Sequence, residues 1–224
     1  MATRQEGGGA ADLVVAWVTV GPFQQNSYVV GDPATKEAIL IDPGDEPARI
    51  EALLGEHGLE PKYVINTHAH LDHAGAVYFF QERYGLPFYI HAGEKQWLDA
   101  LPIQGQMFGL PSPPQPKVDR WIQDGEIYNV GQKSFRVIHT PGHTPGGCCF
   151  HFPDDGVLIT GDTLFAGSVG RTDFPGGSWP ELRDSIQKKL FPLGDEVVFY
   201  SGHGPPSTLG KERRDNPFVG ARAG

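Results

Sequence analysis

Three imidazoles and a carboxylate fall within six residues of this chain, in Thr67-His68-Ala69-His70-Leu71-Asp72-His73. Residues 62–66, just before, read as a short buried strand. Residues 74–84, just after, read as a helix. The cluster therefore sits on a strand-to-helix loop, where side chains can converge on one point. In an extended segment alternate side chains share a face, which aligns His68 with His70. Asp72 and His73 diverge as the chain turns into the helix. That spread suits two metal ions a few ångströms apart better than one. Imidazole favours zinc, iron, copper or nickel, and an added carboxylate is typical of hydrolytic or oxygen-using sites. A His-rich tag binds metal without function, but this cluster is internal and framed by two elements.

Three later segments each present one such residue on a loop just after an expected strand. They are Thr140-Pro141-Gly142-His143-Thr144, Thr160-Gly161-Asp162-Thr163-Leu164 and Gly202-His203-Gly204. Alone, a loop His flanked by Gly is a weak signal. Together with the first cluster they supply five His and two Asp, all on strand-end loops.

The elements that must position these residues are expected in two runs. Strands at 13–20, 26–30 and 37–41 precede a helix at 47–57, opened by acids and a Pro near its first turn. The strand at 62–66 and the helix at 74–84 follow, then a strand at 87–91 and a short helix at 93–100. Residues 101–118 hold five Pro and little periodicity, and read as a long loop, a candidate lid. The second run has strands at 120–122, 126–130, 134–139, 147–152 and 157–160. Leu182, Ile186 and Leu190 recur at four-residue spacing, so 180–191 is a helix. A last strand at 196–200 leads to His203. Two such halves back to back make a four-layered α/β sandwich with helices outside.

Composition bounds the rest. The 224 residues are 39% hydrophobic and 11% aromatic, enough for a sizeable core, and 30 Gly with 20 Pro argue against a helix bundle. A net charge of −9 argues against a nucleic-acid surface, which needs a basic face. The adjacent Cys148 and Cys149 are the only cysteines, and neighbours rarely pair, so a reducing, cytoplasmic compartment is expected. No apolar run suggests a secretion signal or a membrane span. Residues 1–11 read as a disordered tail and 12–224 as one domain. Oligomeric state is not legible.

The set His68-x-His70-x-Asp72-His73, His143, Asp162 and His203 resembles the metallo-β-lactamase superfamily, over most of the chain. The resemblance implies an αββα sandwich with a dinuclear site at one edge. It implies His68, His70 and His143 on a first metal, Asp72, His73 and His203 on a second, and Asp162 bridging both. Asp42, in Ile41-Asp42-Pro43-Gly44, resembles the acid that supports such a site from behind. β-Lactamases of this fold lack the bridging Asp, and many use a Cys on the second metal. Cys148 and Cys149 stand at no such position and read as packing.

The run Gly161-Asp162-Thr163-Leu164-Phe165-Ala166-Gly167-Ser168-Val169-Gly170-Arg171-Thr172-Asp173-Phe174 is similar to the glyoxalase II-like group, as is Gln25-Asn26-Ser27-Tyr28. The segment from Gly202 to Phe218 looks like its short bacterial subgroup. Full-length glyoxalase II carries a C-terminal helical domain that holds much of the glutathione, and this sequence ends soon after His203. The implied chemistry is hydrolysis of an acyl thioester, S-D-lactoylglutathione or a related acyl thiol. The cofactors are two divalent ions, zinc first, with iron or manganese as alternatives. Two cations sharing a water lower its pKa enough to supply hydroxide at neutral pH. Asp72 is the expected orienter of that nucleophile and catalytic acid–base group. Arg171 is the expected partner of a substrate carboxylate, or else half of a loop ion pair. A sister family of persulfide dioxygenases shares the fold and would place one iron on His68, His143 and Asp162.

Overall fold

The computed structural model describes residues 12–221, so the tail expected at 1–11 lies outside the described residues. Two six-stranded sheets face each other. The first contains β1 (Val14–Val20), β2 (Gln25–Asp32), β3 (Glu37–Ile41), β4 (Glu60–Ile65), β5 (Phe88–His91) and β6 (Arg120–Ile122), in that spatial order. The first three strands are antiparallel and the next three run parallel. Between them come helices α1 (Pro47–His57), α2 (Leu71–Ala74), α3 (Val77–Tyr84), α4 (Lys95–Asp99) and α5 (Leu101–Met107).

The second half supplies β7 (Ile127–Val130), β8 (Lys133–His139), β9 (Cys148–Phe152) and β10 (Val157–Gly161), a small hairpin of β11 (Leu164–Phe165) and β12 (Ser168–Val169), and helix α6 (Trp179–Asp184). Strands β13 (Val198–Ser201) and β14 (Ser207–Thr208) and helix α7 (Leu209–Asp215) complete the described chain. The order across this sheet is β14-β13-β10-β9-β8-β7.

Both faces of each sheet are buried, which is why the central strands read as unbroken apolar runs. In β3, Ala38 and Leu40 face helices α1 and α3, whereas Ile39 and Ile41 face the opposing sheet. In β9, Cys148, Phe150 and Phe152 enter the inter-sheet core and Cys149 the layer under α6 and α7. The two cysteines are free, in different cores, and serve as packing. Leu182, Ile186 and Leu190 are fully buried on the far side of the second sheet. Burying side chains of this size contributes roughly 1.5–3 kcal/mol each. Three apolar layers thus give the expected four-layered αββα sandwich. Among the described residues no helix is long and apolar enough to cross a membrane.

Several local expectations need correction. The helix expected at 74–84 is two pieces, α2 and α3. Its break is at Gly75, where a Cβ would lie 2.5 Å from the Gly44 carbonyl oxygen, and the Ala76 N–H is taken by the Pro43 carbonyl. The loop expected at 101–118 begins as α5. Pro102 occupies the first turn, where a missing N–H breaks no helical bond. The helix expected at 180–191 is α only as far as Asp184 and continues as a π-turn over Ser185–Leu190. The β11–β12 hairpin, β14 and α7 were not anticipated.

Candidate metal centre

All seven expected ligand residues come together at one edge of the sandwich. His68, His70, His143, Asp162 and His203 stand on loops that leave the ends of β4, β8, β10 and β13, whereas Asp72 and His73, expected on a loop, lie within helix α2. His68, His70 and His143 converge first. His68 Nε2 lies 3.1 Å from His70 Nδ1, and His143 Nε2 lies 3.0 Å from the same atom. Ligands about 2.0–2.1 Å from one tetrahedral cation sit roughly 3.3 Å from each other. The second convergence is Asp72, His73 and His203. Asp72 Oδ2 is 3.2 Å from His203 Nε2 and 3.8 Å from His73 Nε2. Asp162 lies between the two sets. Its Oδ1 is 3.3 Å from His73 Nε2, and its Oδ2 is 3.5 Å from His203 Nε2 and 3.7 Å from His143 Nε2.

The hydrogen bonds behind the imidazoles set which nitrogen faces inward. His73 Nδ1 donates to Asp42 Oδ2 at 2.9 Å. His68 Nδ1 donates to Thr67 Oγ1 at 3.0 Å, and that hydroxyl donates onward to Asp42 Oδ2 at 2.6 Å. His143 Nδ1 donates to the Arg171 carbonyl at 2.7 Å. With these protons committed, the inward nitrogens of His68 and His143 are lone pairs when the rings are neutral. His70 carries at most one proton at Nδ1, too few for both neighbours. A cation resolves the conflict. His70 Nε2 is buried without a hydrogen-bond partner, and His73 Nε2 and Asp162 Oδ1, buried and facing each other at 3.3 Å, form no well-aligned hydrogen bond. Buried polar atoms without partners are rare, and clustered ones mark an ion site. The donor set therefore fits divalent metal binding.

Electrostatics agree. Burial, followed by the neighbouring imidazoles, holds His68 well below its usual pKa, and burial with His143 brings His70 to about 3. On the other side burial is overcome. Asp162, Asp72 and Asp42 raise His73 well above its ordinary value, and Asp162 and Asp72 raise His203 to about 9. The half with three imidazoles repels protons and the half with carboxylates attracts positive charge.

The supports come from distant segments. Asn26 Nδ2 donates to the carbonyls of Ser201 and Gly204, at 3.1 and 2.9 Å, and Tyr28 Oη to Ser201 at 2.6 Å. Ser27 Oγ donates to the Asp42 carbonyl at 2.8 Å. The Gln25–Tyr28 motif thus clamps the loops carrying His203 and Asp42. Gly202 is tightly enclosed: a Cβ there would lie 2.1 Å from Asp162 Oδ1 and 2.6 Å from His73 Cε1.

Two supports were missed in the sequence. Glu94 is fully buried and accepts from Ala69 N at 2.9 Å and Gly146 N at 2.8 Å, tying the His68–His70 loop to the His143 loop. Gln104, on α5, accepts from Leu71 N at 2.9 Å and donates to the carbonyls of Ala69 and Trp97. An acid just after a buried strand was the only available hint. Arg171 lines the cleft above the centre but its Nε and Nη2 both bond Asp173, at 2.6 Å each, and its guanidinium lies 4.0 Å over the Phe174 ring. This is the loop ion pair foreseen as the alternative.

Comparison with known proteins bears on this arrangement. Residues 20–203 match the family model described as the metallo-beta-lactamase superfamily. The chain is 40% identical over 208 residues to hydroxyacylglutathione hydrolase GloC of Haemophilus influenzae, covering 92% of this chain and 98% of that protein. Among solved structures it resembles the BLEG-1 B3 metallo-beta-lactamase, with 36% identity, TM-score 0.85, and 92% and 99% of the two chains covered. It also resembles TTHA1623 in a di-iron-bound form, with 40% identity, TM-score 0.81, and 91% and 99% covered. Fold, converging imidazoles and carboxylates, and full-length similarity agree: the chain belongs to the metallo-beta-lactamase superfamily.

Proposed function

We propose that this protein is a metal-dependent thioester hydrolase, acting on S-D-lactoylglutathione or a related acyl thiol. One observation carries the reading: two complete ligand sets stand side by side with Asp162 between them. In this reading His68, His70 and His143 would hold one divalent ion, and Asp72, His73 and His203 would hold the other. Asp162, lying between the two sets, would offer a carboxylate oxygen to each. The 40% identity to a hydroxyacylglutathione hydrolase supports the thioester class. Zinc, iron and manganese all suit five imidazoles and two carboxylates.

When bound, the two ions supply Lewis acidity for the acyl carbonyl and a water acidic enough to ionise near neutral pH. The chain's own groups do the rest. Asp72, with Oδ2 at the inner rim of the second set, orients the attacking water and accepts its proton. Asp162 stands between the two sets, and Asp42, through His73 and Thr67, fixes which ring nitrogens of His73 and His68 face inward. Arg171 remains a candidate contact for a substrate carboxylate through Nη1, which Asp173 leaves open. The intact second set favours this over the mononuclear-iron dioxygenase reading, which leaves Asp72, His73 and His203 without a role.

The test is metal content together with loss of thioester absorbance from S-D-lactoylglutathione and other acyl thiols. Two ions per chain, and turnover that falls by about 10³-fold in Asp162→Ala, are expected. One iron per chain, with oxygen consumed in the presence of glutathione persulfide, would replace this reading with the dioxygenase.

A further inference from the structure

The cleft above the metal centre has a volume of ≈ 520 Å³, and its walls are mostly apolar. Phe23, Trp97, Met107, Phe108, Phe165 and Phe174 line it beside the ligand side chains. Phe23 and Phe108 meet edge to face at 5.0 Å, yet remain 37% and 51% exposed, and Met107 is 75% exposed. Large apolar groups held open to water at the wall of a cavity mark a binding surface, because covering them is favourable. Pockets take their specificity from the few polar groups among such walls.

Here few of those polar groups are left open. Both ends of the Gln104 amide are committed to backbone groups of the ligand loop and α4. Among the described residues that line the cleft, Arg171 is the one fixed cation, and Asp173 pairs with it through two hydrogen bonds, leaving Nη1 as the one group open to a substrate carboxylate, against the two carboxylates of glutathione. The whole chain carries a net charge of −9. A glutathione thioester brings two carboxylates and an ammonium, and burying a charge without a partner is strongly unfavourable.

We infer that the preferred substrates are thioesters with an apolar acyl arm, aromatic or aliphatic, seated among Phe23, Trp97, Met107, Phe108 and Phe174, rather than S-D-lactoylglutathione. The inference rests on the thioester-hydrolase reading and narrows it. In the reaction water oxygen bonds to the acyl carbon and the carbon–sulfur bond breaks. The thiolate leaves with the electron pair and takes up a proton, and the acid product ionises. No oxidant or reductant is needed.

The experiment follows thiol release from the metal-bearing protein with three probes. They are S-phenylacetyl-N-acetylcysteamine, S-acetyl-N-acetylcysteamine and S-D-lactoylglutathione. The phenylacetyl thioester is expected to show kcat/KM about tenfold or more above each of the others. Phe108→Ser is expected to cut the phenylacetyl-to-acetyl ratio about fivefold, through KM. A readout without turnover accompanies it: S-benzyl-N-acetylcysteamine, a thioether that cannot be hydrolysed, binds in calorimetry more tightly than S-methylglutathione. Preference for S-D-lactoylglutathione, or a ratio unmoved by Phe108→Ser, overturns the inference and leaves the hydrolase standing. No thiol release from any probe overturns the hydrolase reading, and the inference with it.

Discussion

Oδ2 of Asp42 lies 2.9 Å from Nδ1 of His73, and this contact turns Nε2 of that imidazole toward Asp72 and Asp162. The same oxygen takes the Thr67 hydroxyl, which holds His68. Such partners orient a ligating imidazole and raise its basicity, and losing them costs about 10- to 100-fold in metal affinity. Asp42→Ala is expected to weaken both sites, the Asp72–His73–His203 site more. Thr67→Val is expected to weaken only the site of His68. Metal analysis after dialysis against graded chelator measures both, and an Asp42→Ala protein that keeps full occupancy would refute the assignment.

Gly202 leaves no room for a side chain. A methyl group would overlap Asp162 Oδ1 and the His73 ring. Neither neighbour can yield freely, since His73 is tied to Asp42 and Asp162 is wedged among three imidazoles. Gly202→Ala is therefore expected to lose at least one metal per chain and about 10²-fold or more in kcat/KM, as misplacement by an ångström does. Circular dichroism of the folded variant controls for collapse of the sheet.

Glu94 makes a third test. Its buried carboxylate joins two ligand loops through Ala69 N and Gly146 N. Removing it leaves two buried N–H groups without acceptors. Glu94→Ala is expected to cost about 3 kcal/mol, which lowers Tm by about 6–12 °C for a chain of this length. It is also expected to loosen the His68–His70–His143 site. A variant with unchanged Tm would show that the two loops hold without this tie.

Away from the centre, His91 predicts a pH dependence of stability. It is half-buried, stacked on His139 at 4.3 Å, and accepts the Gly93 N–H at Nδ1. Burial first, and His139 second, hold its pKa below the ordinary value, with Asp124 opposing. The unfolded chain, titrating near about 6.5, takes up the proton before the folded one. Stability from this group is full above that pH and is lost as pH falls below it. The fall in Tm from about pH 7.5 to pH 5.5 is expected to be smaller in His91→Gln than in the unsubstituted protein. An equal fall in both would remove His91 from the account.

Much of this was legible in the residues. The candidate ligands could be read because metal chemistry draws on few residue types, here His and Asp, and because each lies just beyond an apolar strand, on the loop or the short helix that follows it. The sandwich could be read because strands buried on both faces, such as Ile39–Leu40–Ile41, lose alternation and become continuous apolar runs. The helix at α5 was hidden by its neighbouring prolines, although Pro102 sits where a helix tolerates it. The split between α2 and α3 was hidden because its cause, the approach of the Gly44 backbone, comes from another segment.

The sequence by itself thus determined which atoms could bind metal, roughly where the strands that present them end, and the apolar pattern that stacks four layers. The family resemblance already implied Asp162 between the two sets, whereas only the tertiary structure decided that Glu94 joins their loops. The resemblance also implied Asp42 behind the site, but the tertiary structure set it against His73 and Thr67, and it closed Arg171 onto Asp173. The reason is physical. A ligand's identity is a property of one residue, but the partner that satisfies a buried donor, and the charge that meets a guanidinium, are set by where distant segments pack.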